Sequence, residues 1–132
     1  MCYADTIKAG HVVDAIVIKE REPGTPCCDC SVEAGLSTAE AQQVTNDLLI
    51  LAHPVRLQIL DILARHAAKV CVCDIESAVP VKQPTVSHHL RLLRDAGLVD
   101  CERQGLWAYY FLKRQAFSEL QARITARLDT LS

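Results

Sequence analysis

The chain has 132 residues, half of them apolar and 5% aromatic, enough for one domain with a real core and a short arm. No run approaches the ~18–20 apolar residues of a membrane span, and no charged segment followed by an apolar stretch marks a secretory signal, so a cytoplasmic protein without membrane contact is expected. The net charge of −2 is unevenly spread: residues 1–52 carry three Lys/Arg against eight Asp/Glu, residues 53–114 nine against six, and residues 115–132 two against two. A mildly basic middle behind an acidic arm permits DNA binding without establishing it.

Residues 1–36 read as an arm. Val12 to Ile18 is β-branched enough for a strand but has no evident partner, and Glu20 to Pro26 reads as a loop from its Pro and Gly content. From Ser37 to the end, residues 37–132, the pattern is that of a folded domain. Ser37 and Glu40 have capping-box spacing, and Val44, Leu48 and Leu51 continue one apolar face. His53-Pro54 restarts the chain, with Pro54 suited to the first helical position; Val55, Ile59, Ile62 and Leu63 stripe the second helix. A short third helix is predicted at about 74–79, opening at Asp74 as the cap. After the turn Val79–Lys82, a fourth helix is predicted over 83–95, with Val86, Leu90 and Leu93 inward and Gly97 ending it. Two strand-like runs, Leu98 to Arg103 and Leu106 to Leu112, flank Gln104-Gly105 as a hairpin turn. A last helix over about 115–130 presents Phe117, Leu120, Ile124, Leu128 and Leu131.

The expected fold class is therefore mainly α with a β-hairpin wing. The third helix, turn and fourth helix make a helix-turn-helix, and the hairpin makes the wing. The terminal helices carry more apolar surface than this core needs, which predicts a homodimer pairing them across a two-fold axis. With Val86 and Leu90 inward, Gln83, Thr85, Ser87, His88 and Arg91 lie on the other faces of the fourth helix. An amide, small hydroxyls and a cation are the groups that base edges and phosphates require, although a small helical domain with a solvated face would show the same pattern.

Seven cysteines are many for such a chain, and the odd number speaks against a disulfide framework. Five fall in two short segments, Cys27-Cys28-Asp29-Cys30 and Cys71-Val72-Cys73. Cys2 and Cys101 read as ordinary small residues. Cysteines two apart within a helix point about 200° apart and cannot share one ion. At the junction of a loop and a helix the chain can turn both sulfurs inward, and the helix N-terminus is expected to lower the thiol pKa. As a bare pattern Cys-x-Cys remains open between metal ligation and a structural role. A catalytic cysteine finds no oxyanion or cofactor motif to work with, so an enzyme is not expected.

The stretch Gln83-Pro84-Thr85-Val86-Ser87-His88-His89-Leu90-Arg91-Leu92-Leu93-Arg94-Asp95-Ala96-Gly97-Leu98-Val99 resembles the recognition helix and wing start of the ArsR/SmtB metalloregulatory repressors. Pro54 to Leu60 resembles their second helix. Arg103-Gln104-Gly105 with Trp107-Ala108-Tyr109-Tyr110 resembles their wing. The likeness covers about residues 37–114, in order. Lys82 and His53 stand where better capping residues are common, a loss of about 1 kcal/mol each.

This resemblance implies a dimeric winged helix-turn-helix repressor that reads double-stranded operator DNA through Gln83, Thr85, Ser87, His88, Arg91 and Arg103. It also implies that Cys71-Val72-Cys73-Asp74 is a metal motif. Two sulfurs do not complete a site: As(III) or Sb(III) favours three thiolates, Cd(II) or Pb(II) three or four. Many arsenic-responsive members have a third cysteine where Glu76 stands here. The arm pair Cys27 and Cys28, followed by Leu36-Ser37-Thr38-Ala39-Glu40-Ala41, is similar to an arsenic-responsive branch and is expected to complete the site, with Cys30 able to replace either. As(III) or Sb(III) is thus the expected inducer, Cd(II)/Pb(II) or thiol redox sensing the alternatives, and no organic cofactor is expected. The zinc site that other members build on the last helix is not expected, because residues 115–132 offer no His and only Glu119 and Asp129.

Overall fold

In this computed structural model the described residues are Val32 and residues 35–132. Val12 to Ile18, the Pro/Gly loop, Cys2, Cys27, Cys28 and Cys30 lie outside them. The described elements are α1 (Thr38–Leu51), α2 (Pro54–Arg65), β1 (Val70–Cys71), α3 (Val72–Ala78), α4 (Gln83–Asp95), β2 (Val99–Gln104), β3 (Trp107–Leu112) and α5 (Arg114–Asp129).

Local chemistry sets the boundaries. Ser37 caps α1: its hydroxyl accepts from the Glu40 N–H at 3.2 Å, and Glu40 accepts from the Ser37 N–H at 2.9 Å, the expected capping box. His53 turns out to cap α2, its Nδ1 accepting from the Val55 N–H at 3.2 Å, so the expected loss there is made good. Lys82 gives α4 no side-chain cap, as its chemistry predicts. Gly97 ends α4 at φ 78° and Gly105 begins the hairpin turn at φ 63°, both conformations that favour glycine. The hairpin loop is Gly105-Leu106, one residue later than the sequence suggests, with Gln104 paired to Trp107. Positive φ at the first turn residue alone is the type II′ pattern that matches the twist of the flanking strands.

Two features depart from expectation. Helix α3 starts at Val72, with Cys71 in the N-cap position and no side-chain capping bond; Asp74 lies in the first turn instead of capping it. Immediately before it, β1 adds a third strand. It pairs antiparallel with β3, Val70 opposite Tyr110 and Cys71 opposite Tyr109, giving the order β1-β3-β2. Lys69, just ahead of β1, pairs with Glu102 of β2 and lies 5.6 Å from the centre of the Phe111 ring.

The core gathers Val55, Ile59 and Leu63 of α2, Ile75 of α3, Val86, Leu90 and Leu93 of α4, Leu98 and Val99, and Leu120 of α5. Every inward residue expected on α4 is there. The terminal helices behave otherwise. Leu48, Leu49, Leu128 and Leu131 are exposed, the last by 83%, and two ion pairs join α1 to α5. Arg123 donates to both carboxylate oxygens of buried Asp47 at 2.9 and 3.0 Å, and Arg127 donates to Glu40 at 2.8 Å.

Candidate DNA-reading and thiol sites

Helix α4 begins directly after the turn at Lys82. Gln83, Thr85, Ser87, His88 and Arg91 are all exposed, while Val86, His89, Leu90 and Leu93 are buried. The 3.6-residue period puts the four buried positions on one stripe and the five polar ones on the rest. Arg91 NH2 lies 3.2 Å from His88 Nδ1 on the same exposed face. Arg103 is exposed on β2 close to the wing tip, where Leu106 and Trp107 are also exposed, by 93% and 53%. Every DNA-reading residue named from the sequence is thus available to an outside partner. The apolar wing tip was not singled out in the sequence, and its signal is an exposed Leu-Trp pair after a turn glycine.

Beneath this surface lies a contact that sequence reasoning did not find. His89 packs against His53 with ring centres 4.2 Å apart and lies 3.4 Å from Arg56 NH1. Burial, first of all, and then the charges of His53, Arg56 and His88 hold its pKa below the usual histidine range.

The thiol pair sits at the other end of the helix-turn-helix. Cys71 is the last residue of β1 in extended geometry, φ −62° and ψ 140°, and Cys73 is in the first turn of α3. That break in backbone conformation brings the two sulfurs to 2.8 Å, with both thiols free and Cys73 exposed. In a continuous helix they would diverge. The pKa expectation is corrected for Cys73. Its thiol donates to the Cys71 sulfur, and that bond, slight desolvation and the negative charge of Cys71 and Asp74 push it up; the Asp74 N–H pulls it down by less. Two neighbouring sulfurs do not both take a negative charge easily. A cation between them would relieve the repulsion, so the pair is suited to a soft ion that displaces both protons. Among the described residues no third His, Cys, Asp or Glu converges with them. Cys27 and Cys28 lie outside the described residues.

A helix-turn-helix with polar side chains outward, followed by a β-hairpin wing that a preceding two-residue strand extends, defines a winged helix-turn-helix DNA-binding regulator. Residues 53–100 match the family described as bacterial regulatory protein, arsR family. A transcriptional repressor SmtB homolog of Synechocystis is 42% identical over 94 residues, spanning 71% of this chain and 70% of its own length. The arsenical resistance operon repressor of Escherichia coli is 43% identical over 63 residues, 48% of this chain and 53% of its own. The cadmium resistance transcriptional regulatory protein CadC of Listeria innocua is 36% identical over 78 residues, 59% and 65% of the two chains. Among solved structures, the homodimeric winged helix-turn-helix domain of a possible ArsR-family regulator from Mycobacterium bovis superposes with a TM-score of 0.53 at 33% identity, covering 74% of this chain and 91% of that one. The chain belongs to the ArsR/SmtB family of metalloregulatory transcriptional repressors. None of its described helices is long and apolar enough to cross a membrane.

Proposed function

We propose that this chain is a cytoplasmic repressor that binds operator DNA as a homodimer and releases it when cysteine thiolates capture As(III) or Sb(III), so controlling a resistance operon. The observation that carries the inducer half is the Cys71–Cys73 sulfur pair, 2.8 Å apart, at the start of α3. In the dimer the exposed apolar residues of α1 and α5 pack against a second copy. The two α4 helices then stand one DNA turn apart, about 34–36 Å, and reach successive major grooves. Gln83, Thr85, Ser87 and His88 read base edges, and Arg91 and Arg103 hold phosphates. Cys27 and Cys28 of the arm complete the thiolate set. Release requires that the ion bind the DNA-free form more tightly; a linkage of about 1–3 kcal/mol weakens DNA binding roughly 5–150-fold.

The test is fluorescence anisotropy on the duplex that the protein selects from a random-sequence pool, with arsenite, antimonite, cadmium, lead and zinc added in turn. Arsenite or antimonite should release the DNA at the lowest concentration. Release by cadmium or lead ahead of both, as the cadmium-named relative would suggest, replaces the inducer while keeping the repressor. Release by peroxide and by no ion makes the thiols a redox sensor.

A further inference from the structure

Arg56, in the first turn of α2, holds three groups at once. Its Nε donates to the Ile50 carbonyl at 2.7 Å and its NH2 to the Leu49 carbonyl at 2.9 Å, while NH1 lies 3.4 Å from Nδ1 of His89. The two carbonyls belong to the last turn of α1, where backbone acceptors run out of intrahelical partners. His89 is on the buried side of α4 and is 5% exposed. The planar guanidinium fork therefore ties the end of α1 to the core face of α4 in a fixed geometry that a flexible ammonium would not impose.

The tie selects one state of the imidazole. A guanidinium only donates, so this contact is a hydrogen bond when Nδ1 of His89 accepts, with the ring neutral and its proton on Nε2. The titratable and charged groups acting on that ring are His53 from the α1–α2 junction, Arg56 from α2 and His88 from α4 itself, with no carboxylate in the set. A proton placed on Nδ1 would meet the Arg56 cation head on.

We propose that Arg56 and His89 are positioning residues for DNA reading: Arg56 sets the tilt of α4 against the end of α1 through neutral His89, and protonation of His89 frees the helix. This rests on the reading above that α4 contacts DNA. Helix α1 carries part of the exposed apolar face assigned to the dimer, so the tie sets where each reading helix stands relative to the two-fold axis. If the DNA-bound form needs neutral His89, operator affinity falls up to about tenfold per pH unit below the His89 midpoint.

The experiment uses the full chain and the duplex selected by wild-type protein. Affinity is measured from pH 8 to pH 5.5 at constant salt for wild type, His89→Asn, His89→Leu and Arg56→Gln, alongside imidazole titration by NMR. Asn keeps an acceptor near the place of Nδ1 but does not titrate. His89→Asn should bind within about threefold of wild type at pH 8 and lose the acid-side fall. His89→Leu and Arg56→Gln should bind about tenfold more weakly at pH 8, with thermal melts showing them folded, and Arg56→Gln should raise the His89 midpoint. A wild-type acid slope retained in His89→Asn, wild-type affinity in folded His89→Leu, or an unmoved midpoint in Arg56→Gln overturns the proposal. Wild type that selects no duplex, with the midpoint still rising in Arg56→Gln, overturns the DNA assignment and the positioning role with it while leaving the contact itself in place.

Discussion

The helix-turn-helix and the terminal helices solve the same burial problem in opposite ways. In α2, α3 and α4 the periodic apolar positions are covered: Ile59, Ile75, Val86 and Leu93 have no exposed surface. In α1 and α5 much of the apolar stripe stays in the open, with Leu48 and Leu49 on one helix and Leu128 on the other, followed by exposed Leu131 just past its end, while buried Asp47 and the Glu40 carboxylate pair with Arg123 and Arg127. One chain closes a core around its reading helix and leaves its terminal helices unfinished. Two ion pairs link α1 and α5, and their outer leucines stay uncovered.

The largest expected effect tests the unfinished half. Leu128→Glu should leave helicity and monomer stability within about 0.5 kcal/mol yet convert a dimer to a monomer by analytical ultracentrifugation. Operator affinity should then fall by about 10²–10⁴-fold as the two half-sites lose their linkage. A dimer that survives this change would place the interface elsewhere. In the finished half, Leu93→Ala should cost about 2–5 kcal/mol in urea unfolding, because the core has no room to relax around the void.

Between these lies the charged seam. Arg123 beside Asp47 holds that carboxyl below its usual range. The pair's contribution is therefore present above about pH 3.9, the ordinary aspartate value, and is lost as pH falls through the lower, folded one. Asp47→Asn should cost about 1 kcal/mol at pH 7, discounted because Arg123 is half exposed, and should flatten the acid limb of the melting curve. The smallest effect on DNA-free stability is expected at the thiols. Cys71→Ser and Cys73→Ser should change the melt by less than about 0.5 kcal/mol and keep operator affinity, while ion-driven release disappears. The Cys27→Ser/Cys28→Ser double variant should do the same if the arm supplies ligands, and Cys101→Ser should respond as wild type.

How much of this was legible in the sequence follows the same division. Helix α4 could be read nearly residue by residue, because its buried positions recur at helical spacing and Gly97 must adopt positive φ. The start of α3 was misplaced by two residues because Asp74 has the better capping chemistry, whereas the backbone break at Cys71 sets the boundary. Strand β1 is two residues long, too short for any alternation, and exists only because β3 lies alongside it. The Arg56–His89 contact spans 33 positions, and nothing local in either segment announces it. Spacing showed that Cys71 and Cys73 could converge, but the upward push on the Cys73 thiol arises from the sulfur beside it and so needed coordinates.

The two-residue strand has a mechanical meaning. Cys71 ends β1, where it stands opposite Tyr109 on the central strand of the sheet, and it is also the N-cap of α3, which leads through one short turn into α4. It is a hinge pin shared by both DNA-reading parts. Its backbone is continuous with α3 on one side and paired with the wing on the other. On the proposed function, an ion that draws on this sulfur therefore acts at a point joined to both the wing and the helix-turn-helix.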